Sequence, residues 1–202
     1  GRETVMVGDL MLGSDTPVLP PPRMPEGRLT LPFALLPWPN HIDATPGDAP
    51  VILHLAEGTS LADKRLALSV DALHKRLFPT ARRVIQLSRA RGSREVAFET
   101  DEALAPEAYR LTFGDRIVLS ASDARGRRYG LLSLAQMMHG VSSDPEFRFP
   151  QTGVIEDAPR YDWRACHLDV SRHFWSFSEV KRVVDMLAWN KLNMFHWHLT
   201  DD

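Results

Sequence analysis

The tightest constraint on this chain lies between Arg164 and Leu199, where a helical repeat sits between two strand-like runs. Arg164 to Val170 reads as a strand. Ser176 and Glu179 have capping-box spacing, and Trp175 with Val180 fits the hydrophobic staple around it. Val180, Val183, Val184, Leu187 and Ala188 recur at helical spacing, which predicts a helix with one face turned inward. Asn190 suits its C-terminal end, and Asn193 to Leu199 reads as a second strand. Strand, helix, strand predicts a right-handed βαβ unit with parallel strands. Parallel strands need cover on both faces. One βαβ unit cannot cover itself, so the pattern predicts a piece of a larger α/β domain.

The preceding residues differ in character. Ten of the 15 prolines lie between Pro17 and Pro50, and Pro20-Pro21-Pro22 suits neither a helix nor a central strand. Residues 1–27 are therefore expected to form an extended tail. Residues 28–50 are expected to wrap over the next unit, anchored by Leu29, Leu31, Phe33, Leu35 and Trp38. Val51 to Ala56 reads as a strand. Ser60 with Asp63 signals a helix start, and Leu66, Val70, Leu73 and Leu77 repeat until Pro79. Val84 to Leu87 is the next strand. Tyr109 to Phe113 and Arg116 to Ala121 flank Gly114-Asp115, which predicts a hairpin with a two-residue turn. Ser122 or Asp123 can cap a helix whose apolar face is Leu131, Leu134, Ala135 and Met138, with Gly140 closing it. This is an α+β unit, a sheet with helices on one face. Asp144 to Asp157, with Pro145, Pro150 and Gly153, reads as a linker. The expected domains are 28–150 and 151–202.

Several classes are excluded or weakened. No apolar run approaches the ~18 residues of a membrane span. The single Cys166 permits no intrachain disulfide, and its mid-strand apolar setting makes it a poor nucleophile. Net charge is −2, so bulk charge gives no reason to expect a nucleic acid or anionic membrane. Arg82-Arg83 and Arg89, Arg91 and Arg94 have no interleaved aromatic residue, so a solvated face is expected there. No Gly-rich phosphate loop and no nucleophile elbow occur. The opening Gly1-Arg2-Glu3-Thr4 is not a signal peptide, which leaves the compartment open.

Sites in α/β sheets and barrels sit at the carboxyl ends of strands. Asp169 to His173 follows the first such end and His196 to Asp202 the second. Arg172 can clamp a carboxylate, a phosphate or vicinal hydroxyls. His196 and His198 point the same way on a strand. They could ligate a metal, with Asp201 or Asp202 adding oxygen, or hydrogen-bond within a polar core. Asp201-Asp202 could work in acid/base chemistry, one acting and one structural.

Three blocks carry a more specific signal: Asp157 to Arg164, Leu168 to Phe174, and Lys191 to Asp202. In order and spacing they closely resemble the family 20 glycoside hydrolases, the β-N-acetylhexosaminidases. Gly126 to Leu134 also resembles the small α+β domain that precedes the barrel in that family. Ala165 stands where the family pattern often has Gly. The resemblance implies a (β/α)8 barrel beginning near residue 155, here truncated to its first βαβ. It implies removal of terminal β-linked N-acetylglucosamine or N-acetylgalactosamine with retention, the substrate's 2-acetamido oxygen acting as nucleophile. It implies a role in chitin degradation and a periplasmic or secreted location, and implies no cofactor and no metal. Arg172 matches the arginine that holds the C3 and C4 hydroxyls of the terminal sugar. Asp201 matches the aspartate that, with a downstream histidine, supports the acid/base glutamate. Asp202, His196 and His198 match scaffold positions. The family's adjacent Asp-Glu pair lies well downstream and has no counterpart here, so this chain alone is expected to be inactive. Two other readings stand beside this one: a metal-dependent barrel hydrolase using His196 and His198, and a non-catalytic binding module.

Overall fold

The computed structural model describes residues 32–201 and the backbone of two short strands, β1 (Val5–Val7) and β2 (Leu10–Leu12). The chain divides into two compact units, residues 1–31 and 32–202. In the first, β1 and β2 pair antiparallel, Val5 opposite Leu12, within the segment expected as an extended tail. Leu29, Leu31, Pro20 to Pro22 and Asp202 lie outside the described residues.

The second unit is built on a mixed sheet. Its strands are β3 (His41–Gly47), β4 (Ile52–Leu55), β5 (Ile85–Gln86), β6 (Ser93–Thr100), β7 (Tyr109–Phe113), β8 (Ile117–Ala121) and β9 (Phe149–Asp157). Their spatial order is β3-β9-β7-β8-β6-β4-β5. The period-2 pattern of β7 puts Tyr109, Leu111 and Phe113 on the buried face and leaves Thr112 exposed on the other. Leu111 is in register with Leu119 and Ile155, and all three are fully buried. Each contributes roughly 1.5–3 kcal/mol by leaving water.

Two helices cover that face. α1 (Leu61–Leu77) starts at Ser60, whose Oγ accepts the Asp63 N–H at 3.1 Å. α2 (Ala124–Ser143) starts at Asp123, whose carboxylate accepts the Gly126 N–H at 2.7 Å. α2 rides very close to the sheet. A Cβ on Gly126 would stand 2.2 Å from the Ala108 carbonyl oxygen, and one on Gly130 would stand 2.2 Å from Leu119 Cδ1.

Local pattern misleads at several points. Asp144 to Asp157 is no linker, because β9 occupies Phe149–Asp157 and carries the sheet past the expected junction at 150/151. It pairs with β7 on one side and β3 on the other, His41 opposite Glu156. β3 in turn interrupts the expected wrapping coil; Pro46 and Pro150 meet where its register shifts. The β7–β8 turn has three residues, since Phe113 pairs with Ile117. Gly140 does not end α2 but lies buried within it against Ala34. Arg94 is not on a solvated face. It donates to Pro150 O and Gln151 O at 2.7 and 2.5 Å and to Gly114 O, with its guanidinium over Phe113 and Phe149.

The C-terminal segment forms a separate two-stranded parallel sheet, β10 (Ala165–Asp169) with β11 (Met194–His198), joined by α3 (Phe177–Trp189). Ser176 and Glu179 make the full capping box. The inward face expected of α3 is only partly covered: Val180 is buried, but Val184 is 44% exposed. Among the described residues no helix is long and apolar enough to cross a membrane.

Candidate functional site

The amino end of β10 and the turn before β11 are fastened to the mixed sheet by a buried polar joint. Arg164 donates to Glu107 Oε2 at 2.9 Å, Tyr129 OH at 2.8 Å, Tyr161 O at 2.7 Å and Lys191 O at 3.0 Å. Lys191, 5% exposed, donates to Tyr109 OH at 3.0 Å and Asp157 Oδ2 at 3.3 Å. Burial lowers the Lys191 ammonium from its ordinary range, with Asp157 partly offsetting the effect, and burial raises the Tyr109 phenol. Glu107 and Lys191 both hold positive φ, 65° and 61°, a conformation such residues keep only when surroundings enforce it. The joint thus fixes where the two strands begin.

Their carboxyl ends carry the candidate site. The parallel register sets Asp169 beside His198, and the Val170 N–H donates to His198 O at 3.0 Å. Asp169 Oδ1 accepts the N–H groups of Ser171 and Arg172 at 3.0 and 3.3 Å, which folds the loop back over the strand end. The Arg172 guanidinium returns to Asp169 through Nη1 and meets Asp201 Oδ2 through Nη2 at 2.9 Å. His198 Nε2 lies 2.9 Å from Asp201 Oδ1, and Ser171 Oγ donates to Asp201 Oδ2 at 3.2 Å. The hydrogen bond from the Arg172 guanidinium holds the Asp169 carboxyl well below the usual carboxylate range. The side chains of Arg172, Asp201, His198 and Asp169 are 68, 45, 26 and 25% exposed. Ion pairs that open to water contribute at most about 1 kcal/mol. The cluster's output is therefore geometry: a charged, forked donor held beside a carboxylate at the rim of two strands.

Arg172 and Asp201, singled out from the sequence, come together here. His196 and His198 share a strand face but have different partners: His196 Nδ1 meets His167 Nδ1 at 2.9 Å, while His198 turns to the carboxylates. Among the described residues no group of three or more His, Cys, Asp or Glu is arranged to hold a metal ion. Cys166 is half-buried, with Sγ toward His167 O. Asp169 and Ser171 fall in the run the sequence places at the first strand end, but no role is legible for them there, because their partners depend on the β10–β11 register. The chain does contain one adjacent Asp-Glu, Asp101-Glu102, in the loop after β6, where Asp101 accepts from Arg110 at 2.9 Å.

Comparison with known proteins bears on these positions. Residues 33–158 match the model for glycosyl hydrolase family 20, domain 2, and residues 161–202 match that for the family 20 catalytic domain. A beta-hexosaminidase of Vibrio furnissii is 33% identical over 171 residues, covering 84% of this chain and 27% of the relative. One of Akkermansia muciniphila is 44% identical over 100 residues, covering 49% of this chain and 20% of the relative. Among solved structures, an exo-β-N-acetylglucosaminidase from Vibrio harveyi in complex with N-acetylglucosamine superposes with a TM-score of 0.61 at 28% identity. The match covers 87% of this chain and 27% of that one. In these three matches the chain spans only 20–27% of the relative's own length. With one family model laid over the sheet and its helices and another over the strands that carry Arg172 and Asp201, the chain belongs to glycosyl hydrolase family 20.

Proposed function

We propose that the parent polypeptide is a retaining β-N-acetylhexosaminidase that removes terminal β-linked N-acetylhexosamine from chitooligosaccharides or glycan ends. On this reading the accessory α+β domain, expected over 28–150, runs on through β9 to about residue 158, and residues 161–202 begin the catalytic (β/α)8 barrel. The observation that carries it is the 2.9 Å approach of Arg172 Nη2 to Asp201 Oδ2 across the ends of two register-paired parallel strands. Support comes from relatives named beta-hexosaminidase and N,N'-diacetylchitobiase, and from the exo-acting Vibrio harveyi structure that holds N-acetylglucosamine.

Arg172 positions the sugar by donating to its C3 and C4 hydroxyls, which suits a planar fork facing a diol. A general acid protonates the leaving oxygen as the sugar's own acetamido oxygen attacks the anomeric carbon and the glycosidic bond breaks. Water, deprotonated by the same residue, then opens the cyclic intermediate, so two inversions give retention. Asp201 supports that acid/base residue electrostatically. Arg172 and Asp201 position and support, but neither supplies the proton transfer. The 202-residue chain by itself therefore turns over no substrate.

The test compares the two polypeptides on a chromogenic N-acetyl-β-glucosaminide. Turnover by the parent and none by the 202-residue chain is the expected result. Clear turnover by the short chain, or none by the parent, overturns the reading.

A further inference from the structure

The contacts around Arg172 and Asp201 close into a ring. Each carboxylate divides its two oxygens between the same two partners. Asp169 offers Oδ2 to Arg172 Nη1 and Oδ1 to His198 Nδ1, 3.4 Å away. Asp201 offers Oδ2 to Arg172 Nη2 and Oδ1 to His198 Nε2, both at 2.9 Å. Ser171 Oγ spans the ring, 3.2 Å from one oxygen of each carboxylate. The imidazole plane is fixed from behind, because the His167 ring stacks on His198 with centroids 5.7 Å apart, and His167 is in turn bonded to His196.

Two features resist a purely structural account. The ring is too exposed for its ion pairs to add much stability. His198 Nδ1 lies 3.4 Å from Asp169 Oδ1 without the geometry of a hydrogen bond, so that contact adds little stability either. Four side chains tied together at two strand ends, with little stability gained, are the pattern of groups held for geometry.

We propose that Asp169 and His198 are positioning residues of this site: Asp169 sets the Arg172 guanidinium, and His198 sets the Asp201 carboxylate. The inference rests on the hexosaminidase reading and deepens it. Neither residue touches the sugar. Asp169 acts on sugar affinity through the arginine. His198 acts on proton transfer through the aspartate.

The two arms separate kinetically. In the parent polypeptide, Asp169→Asn keeps the shape and removes the charge that aligns Arg172. It is expected to raise KM for a chromogenic N-acetyl-β-glucosaminide about tenfold and to weaken inhibition by N-acetylglucosamine equally, with kcat within about threefold of wild type. His198→Gln retains a donor toward Asp201 but loses the ring held by His167. It is expected to lower kcat by about 10²-fold and shift the pH profile of kcat, with KM within about threefold. Wild-type values for both variants, or a kcat loss that scales with a lost folded fraction and leaves KM and the pH profile unchanged, overturn the proposal. If the wild-type parent hydrolyses no amino sugar, the hexosaminidase reading fails separately. A crystal structure of the Asp169→Asn variant then decides the ring: Arg172 swung away from Asp201 supports it, and an unchanged Arg172–Asp201 contact overturns it.

Discussion

Replacing Lys191 with methionine tests whether the buried joint holds the βαβ segment in place. The variant keeps most of the aliphatic stem and deletes only the ammonium. That ammonium bonds Tyr109 OH at 3.0 Å and Asp157 Oδ2 at 3.3 Å, and the Asp157 side chain is 11% exposed. Removing one partner of a buried charge pair costs about 3–5 kcal/mol. Asp157 retains the Tyr109 hydroxyl as a donor at 3.2 Å, and one hydrogen bond to a charged group recovers part of that. The net expectation is a loss of about 2–3 kcal/mol, or a Tm lowered by roughly 5–10 °C for a chain of this size. Urea and thermal unfolding at pH 7, followed by tryptophan fluorescence, measure it. Asp157→Asn in the same background should restore at least ~1 kcal/mol, since the stranded carboxylate is then neutral. The reasoning is refuted if Lys191→Met lies within about 1 kcal/mol of wild type, or if the two substitutions are additive.

Further predictions follow from single contacts. His74 is fully buried beside His139, Phe78 and Trp189, and burial lowers its pKa from 6.5 to about 4. The unfolded chain then binds more protons than the folded one between those values, so stability should fall as pH drops from about 6.5 toward 4. His74→Phe should flatten that part of a urea-midpoint titration, and an unchanged slope contradicts the assignment. Gly126→Ala places a Cβ 2.2 Å from a backbone oxygen that cannot swing aside, so a loss of at least ~2 kcal/mol is expected in denaturant unfolding. Ser176→Ala breaks the capping box of α3 and should cost about 1 kcal/mol, with hydrogen exchange accelerating first at Glu179 and Val180.

What the sequence reveals and what it hides divide along the range of the interactions. Helix starts are local chemistry: Ser60, Asp123 and Ser176 each accept an N–H from three residues ahead, and all three stand out in the bare sequence. β10 and β11 also announce themselves, because apolar runs flank one well-capped helix. β9 does not. Pro150 and Gly153 within it imitate a linker, and its reason for being a strand is a partner more than a hundred residues away, with His41 opposite Glu156. Gly140 looks like a helix stop because nothing nearby reveals that Ala34 crosses it. The site follows the same rule. Arg172 and Asp201 are legible through a long motif. The ring that ties them to Asp169 and His198 depends on Asp169 falling level with His198, and that level is set by pairing across α3.

The central claim is that Arg172 and Asp201 face one amino-sugar pocket from neighbouring strand ends. A crystal structure of the parent polypeptide with bound N-acetylglucosamine measures this directly. The expected outcome places the Arg172 guanidinium within hydrogen-bonding distance of the sugar's C3 and C4 hydroxyls, with Asp201 on the same side of the β10–β11 pair. A sugar bound away from these strand ends, or Arg172 turned from its hydroxyls, contradicts it.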